Sequence, residues 1–300
     1  MNSLEDFLRP SQKLLFKRLC KKFKGKTLIS KANFILVHGQ APVMLIAHLD
    51  TVHEQPVRDI CISADKNILM SPQGIGGDDR CGVFALVKIY QSAQIKPWLL
   101  FTCDEEVGGL GAKQFCLAHK QRQLPTELDD LKFLIELDRK SSRDAVFYRC
   151  DNPDFEAYIS GKGFNFAQGS FSDISLIAPE LGIAAVNLSC GYYAPHTRHE
   201  YINRKELDST IAKVVSIIGD SPNLPRFEYV ECIQSVEQHK LVRRDESIIL
   251  PRRIPDNLRD IYKLLLDFYS VNELESFRAE YGDQILCQIY NDEIDYFYRC

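Results

Sequence analysis

Nowhere in the 300 residues is there a run of the ~20 apolar residues that a membrane-spanning helix needs. The ten cysteines form no CxxC pair, and Cys61, Cys103, Cys116 and Cys190 sit in apolar runs. Reduced, buried thiols are therefore expected, not a disulfide framework. No long block of like charge appears, and 37 Lys and Arg against 41 Asp and Glu leave a formal net charge of −4. Neither nucleic acid nor an anionic membrane is expected as a partner. Internal repeats and low-complexity segments are missing too. With 45% apolar and 26% charged residues, disorder and collagen-like repeats are excluded. The opening stretch MNSLEDFLRPSQKLLFKRLCKKFKGK has no apolar core with a small-residue cleavage site behind it. It predicts an amphipathic helix; nothing marks the chain for secretion, and a cytoplasmic location is expected.

What is present reads as an α/β layer fold. Apolar runs at Phe34–Val37, Val43–Ala47, Leu99–Cys103, Phe133–Leu137 and Ala184–Leu188 suit strands covered on both faces. Helical patterns over Asp79–Gln91, Gly111–His119, Ser172–Ala178 and Arg204–Ile218 alternate with them. Ser221-Pro-Asn-Leu-Pro225 looks like a linker. Residues 1–220 are thus expected to form the main domain and residues 227–300 a small appended module of unknown role. In that module Phe227–Ile249 has room for short strands and Asn257–Tyr269 predicts an amphipathic helix, with Tyr262, Leu265, Leu266 and Tyr269 as its apolar stripe.

The acids and histidines fall where chemistry is expected in such a fold, just past strand ends. VMLIAHLDTVH sets His48 and Asp50 at one exit, and GIGGDDRCG places Asp78 after three glycines and before a helix. LLFTCDEEVGG leads into Asp104, Glu105 and Glu106; FLIELDR ends on Asp138; GYYAPHTRHEYI puts His196 after the last strand. Five such exits predict one site. Carboxylates crowded together repel one another, so His48, Asp78, Glu106, Asp138 and His196 become tolerable around divalent cations. Five ligands exceed the needs of one open tetrahedral zinc and suit two ions sharing a carboxylate and a water. Glu105, next to a ligand, is left free to take the proton of that water.

The motifs HLD, GIGGDDR, DEE, ELD and HTRHEYI, in this order, resemble the co-catalytic di-zinc peptidase clan, with its M20 family of peptidase T-like enzymes and its M28 aminopeptidases. The likeness spans Val43 to Ile202. It implies a three-layer α/β/α fold with a mixed, mostly parallel central sheet. It also implies two divalent ions, zinc foremost, with manganese or cobalt able to use the same ligands. By this resemblance His48, Glu106, Asp138 and His196 divide between the ions and Asp78 bridges them. Asp50 hydrogen-bonds the far nitrogen of His48 and fixes its tautomer, while Glu105 is the general base. His196 follows Asp138 by only 58 positions, which leaves no room for the lid domain of the M20 enzymes. The body therefore has the bare M28-like plan, and a lid-mediated dimer is not expected.

The activity so implied is a metal-dependent exopeptidase, an aminopeptidase or di/tripeptidase acting on short peptides. Deacylation of an N-acyl amino acid by the same site is the alternative, and a catalytically silent scaffold the third reading. The appended module is open to three roles: covering the site, self-association into a homo-oligomer, or recognising a partner. Several other residues carry expectations. Ser172 and Asp173 read as an N-cap, and Arg80 and Arg139 as charge balance for the acids. Glu200 either ties down the loop of His196 or caps the helix near Asn203. Tyr192 and Tyr193 line a pocket or pack. His38, His53, His119 and His239 have no matching acid and read as surface or core residues.

Overall fold

The computed structural model describes residues 1–31, 33–53, 55–232, 254–255, 258–265, 271–283 and 285–286. The chain divides into two units, Met1–Ala167 with Phe171–Glu231, and Gln168–Ser170 with Cys232–Cys300.

The first unit begins with α1 (Glu5–Leu8), α2 (Gln12–Lys22), β1 (Thr27–Lys31), β2 (Phe34–Val37), β3 (Val43–His48), β4 (Cys61–Ile62) and β5 (Ile68–Met70). Next come α3 (Gly77–Ser92), β6 (Trp98–Thr102), α4 (Leu110–Lys120), β7 (Phe133–Arg139), β8 (Asp144–Val146), α5 (Pro153–Gly161) and β9 (Asn165–Phe166). α6 (Ile174–Leu181), β10 (Ala185–Ser189), β11 (Tyr192–Tyr193), β12 (Tyr201–Asn203) and α7 (Arg204–Asp220) complete it. The main sheet has eight strands in the order β1-β2-β6-β3-β7-β10-β8-β9. Its centre, β6-β3-β7-β10, is parallel, while β2 and β8 join that centre antiparallel.

Alternate strand residues feed two separate cores, the physical reason for the unbroken apolar runs. Val37, Leu45, Phe101 and Ile135 pack with Leu15 and Leu19 of α2, Val83 and Leu86 of α3 and Val214 of α7. Leu36, Ile46, Leu100 and Leu134 pack with Phe115 of α4 and Ile177 of α6 on the other face. The fold is thus a three-layer α/β/α arrangement around a mixed sheet, as expected.

Three local departures have clear causes. The N-terminal helix is broken in two at Arg9-Pro10, because Pro10 lacks an amide and its ring obstructs the preceding turn. Ser11 then opens α2 by accepting the Leu14 N–H. A second, four-stranded sheet, β11-β12-β5-β4, is built from strands of two or three residues, too short to leave a periodic signal. α5, with Asn152 accepting the Phe155 N–H as its N-cap, is likewise absent from the sequence expectations.

After α7 the chain returns along the same unit. The Phe227 N–H donates to the Lys132 carbonyl at 2.9 Å, and its own carbonyl accepts the Ala184 N–H at 2.8 Å. The Phe227 ring lies 5.0 Å from that of Phe155 and 5.9 Å from that of Phe133. In the second unit, helices Arg259–Leu265 and Val271–Tyr281 enclose a small core containing Tyr262, Leu265 and Leu274. Leu266, Tyr269, the stretch 233–249 with His239, and the tail beyond Leu286 lie outside the described residues. No helix among the described residues is long and apolar enough to cross a membrane.

Candidate metal centre

Five side chains converge at the carboxyl end of the parallel strands. His48 is the last residue of β3 and Asp138 the penultimate residue of β7. Glu106 lies in the loop leaving β6, and His196 in the loop between β11 and β12. Asp78 does not leave a strand of the main sheet. It comes from the first turn of α3, where Asp78 and Asp79 have non-helical backbone angles and share a cis peptide bond. Four strand exits and one helix start therefore build the cluster, not five strand exits.

The two carboxylate oxygens of Asp78 face different partners. His48 Nε2 lies 3.2 Å from Oδ1 of Asp78 and 3.5 Å from Oδ1 of Asp138. His196 Nε2 lies 3.2 Å from Oδ2 of Asp78 and 3.2 Å from Oε1 of Glu106. Asp78 is thus central to two half-sites, His48–Asp138 and His196–Glu106. Asp50 stands behind the first, its Oδ1 3.3 Å from His48 Nδ1. It also accepts the N–H groups of Glu105 at 3.1 Å and Glu106 at 3.0 Å, so one carboxylate orders both the histidine and the loop of the adjacent acids.

These residues fit divalent ions. Ligands about 2.0–2.1 Å from a tetrahedral zinc are separated from one another by about 3.3 Å, and the four imidazole-to-carboxylate separations in the two half-sites are 3.2–3.5 Å. Glu106 Oε1 is buried with no hydrogen-bond partner, although His196 Nε2 is 3.2 Å away. A buried acceptor left unpaired among converging imidazole and carboxylate atoms is what a shared cation would satisfy. Ligand atoms of His48, Asp78 and Glu106 come within 4.8 Å of each other, as do those of His48, Asp79 and Asp138. Asp79 is the weaker member. Its Oδ2 already accepts the His48 N–H at 3.1 Å, and its Oδ1 the Gly82 N–H at 2.9 Å.

Electrostatics without ions show the strain such a cluster carries. Burial, with the neighbouring Asp78 charge, lifts Asp138 to about 7. Burial also lifts Glu105 well above the carboxylate range, against the charge of His48. Burial opposes ionisation of Asp78 as well, yet hydrogen bonds from His196 and His48 hold it well below its usual value. Asp50 is held to about 2, the cost of burial being outweighed by its hydrogen bond and charge interaction with His48. Both histidines are raised well above 6.5, since the surrounding carboxylates outweigh desolvation.

A supporting layer explains how the ligands are held, and sequence reasoning missed most of it. Asn187, a lone amide in the apolar β10, accepts the Asp138 N–H and donates to the Asp138 carbonyl, both at 2.9 Å. Tyr192 packs as a core residue and donates its hydroxyl to Asp138 Oδ1 at 3.2 Å. Glu200, in the same loop as His196, ties that loop to the loop of Asp78: it accepts the N–H of Gly76 at 2.8 Å and of Asp78 at 2.9 Å. The helix cap is Asn203. Two of the histidines do have acids, His53 with Glu200 at 3.0 Å and His119 with Glu180 at 2.9 Å. Arg80 donates to the carbonyls of Phe7 and Pro10, binding the N-terminal segment to the start of α3. Asp173 makes no side-chain cap. It accepts the Thr102 hydroxyl, while Ser172 donates to the buried Glu136. Gly82 is required by proximity, as a Cβ there would stand 2.0 Å from the Leu137 carbonyl. A polar residue inside an otherwise apolar strand, as at Asn187 and Glu136, was the available signal for this layer.

No family model matches the chain, and no curated protein matches it in sequence. Solved structures do match in fold. Aminopeptidase PepT of Bacillus cereus superposes with a TM-score of 0.54 at 15% identity, covering 73% of this chain and 97% of its own. A tripeptidase of Staphylococcus aureus gives 0.54 at 16%, covering 74% and 97%. The TET1 peptidase of Pyrococcus horikoshii, which assembles into a tetrahedron or an octahedral shell, gives 0.52 at 12%, covering 72% and 99%. This chain shares its fold with these peptidases. The resemblance seen in the motifs therefore extends to the architecture that carries them.

Proposed function

We propose that the protein is a metal-dependent hydrolase that cleaves a peptide bond of short peptides, as an aminopeptidase or di/tripeptidase. The observation that supports this reading is Asp78 between two histidines, one oxygen against His48, which lies beside Asp138, and the other against His196, which lies beside Glu106. His48 and Asp138 would hold one divalent ion, His196 and Glu106 the other, and Asp78 both. Imidazole and carboxylate donors suit zinc and also accept manganese or cobalt. Bound there, the ions would bring a water toward neutral pKa and polarise a carbonyl.

The chain's own residues supply the rest. Asp50 keeps the His48 imidazole oriented through Nδ1. Glu105, set beside Glu106 by the same Asp50, takes the proton of the attacking water and returns it to the departing amine. Enclosure favours this role, because burial makes the Glu105 carboxylate a stronger base than a solvated one. The aminopeptidase and tripeptidase names of proteins with the same fold favour peptides over other amides.

The test is metal content by elemental analysis, together with hydrolysis of a panel of di- and tripeptides, aminoacyl amides and N-acyl amino acids, with and without chelator. About two ions per chain and chelator-sensitive cleavage of peptides are expected. Cleavage confined to N-acyl amino acids would replace the peptidase reading with the deacylase. A metal-loaded protein inert across the panel would leave a scaffold.

A further inference from the structure

Asp104 is the residue before the proposed base, and its backbone is left-handed, with φ of 60°, a conformation uncommon for residues other than glycine. Something must hold it. Gln12, the first residue of α2, does so twice. Its Nε2 donates to Asp104 Oδ1 at 2.8 Å, and its Oε1 accepts the Asp104 N–H at 3.3 Å. Asn33 donates to the other oxygen, Oδ2, at 3.2 Å, and its carbonyl accepts the Cys103 N–H at 2.9 Å. On the far side of the same loop, Asp50 takes the N–H groups of Glu105 and Glu106.

The helix that delivers Gln12 is itself fixed. Leu15 and Leu19 are fully buried in the main core, and Ser11 caps the helix start. Arg80, two positions after Asp78, grips the segment just upstream through the carbonyls of Phe7 and Pro10, at 2.8 and 2.9 Å. The first 12 residues therefore brace the two stretches that carry the bridging acid and the base. A loop left free to relax would move Glu105, and misplacing a reacting group by about 1 Å costs up to about a hundredfold in rate.

We propose that Gln12 is a positioning residue for Glu105, acting through Asp104, so that the N-terminal segment is a working part of the site. The kinetic part of this inference rests on Glu105 being the base; the structural part does not. Gln12→Glu removes the donor and sets a second carboxylate against Asp104. Asp104→Asn in the same chain reverses donor and acceptor and restores the bond, leaving an oxygen for Asn33. Gln12→Glu and Gln12→Ala should each lower kcat by about tenfold or more, with KM within about twofold and two ions still bound. The pair Gln12→Glu with Asp104→Asn should recover most of that loss.

Amide hydrogen exchange over Glu105–Gly109, read in the metal-loaded full chain, should quicken in either single variant and slow again in the pair. This exchange readout stands even if no peptide in the panel is cleaved, so failure of the proposed activity is told apart from failure of the brace. Single variants with parental kcat and parental exchange would overturn it. So would a pair no better than Gln12→Glu alone, since a general loss of packing would not be repaired by exchanging donor for acceptor.

Discussion

On one side of Asp78, His48 exposes 1% of its side chain, ends a central strand and is backed by Asp50. On the other, His196 exposes 41% and reaches in from a loop with φ of 62°. Asp138, the carboxylate partner of His48, is clamped at its backbone by Asn187 and at its oxygen by Tyr192. Glu106, the partner of His196, is held at its N–H by Asp50. The first half-site is thus assembled by the sheet itself, and the second depends on two loops keeping their shape. Pre-organised ligands lose less freedom when an ion arrives, so the His48 side should bind more tightly.

The largest expected effect crosses both halves. Glu105→Gln should keep both ions and lower turnover by about two to four orders of magnitude; near-normal hydrolysis would remove Glu105 from its role. Next, His196→Ala should lose about one ion per chain and remain folded, whereas His48→Ala should lose both ions and melt at lower temperature. Equal losses in the two variants would erase the asymmetry. Both are read by elemental analysis and thermal melting.

Acidity should sharpen the same contrast. Asp138 titrates at about 7 in the metal-free protein, above its ordinary 3.8, and both histidines are raised as well. Each such group stabilises the metal-free fold below its unfolded value and loses that contribution as pH rises through its folded value. Ion binding must expel those protons, so affinity rises with pH. The fall in melting temperature on adding chelator should therefore grow between roughly pH 6 and pH 8. A constant or shrinking gap would contradict the ligand set. The smallest effect is expected from Tyr192→Phe, which removes one hydrogen bond to Asp138 worth about 0.5–1.5 kcal/mol. It should weaken the His48-side ion by about tenfold at most, leaving the other ion unchanged in competition with a chromogenic chelator.

Much of this was legible because strands buried on both faces write unbroken apolar runs, and the site lies just beyond their carboxyl ends. That is how His48, Asp138 and the Asp104–Glu106 triplet stood out. Asp78 stands out through its glycines and the helix that follows them, although it belongs to the first turn of α3 and not to a strand exit. The pairings within the supporting layer were illegible for a different reason. Gln12 and Asp104 are 92 positions apart, and His53 and Glu200 are 147 apart, so no local pattern joins them. Ser172-Asp173 shows the opposite failure. A good local cap signal was overridden because Thr102 on β6 and Glu136 on β7 offered those side chains buried partners.

The return of the chain through Phe227 bears on where it can be cut. A shortened form ending at Ser221-Pro-Asn-Leu-Pro225 would strip out an aromatic plug seated against Phe133 and Phe155, a loss of about 3–5 kcal/mol by comparison with other buried rings. It would also discard the stretch whose amides and carbonyls pair with Lys132, Gly182 and Ala184. A truncation meant to keep the first unit intact should stop after Glu231.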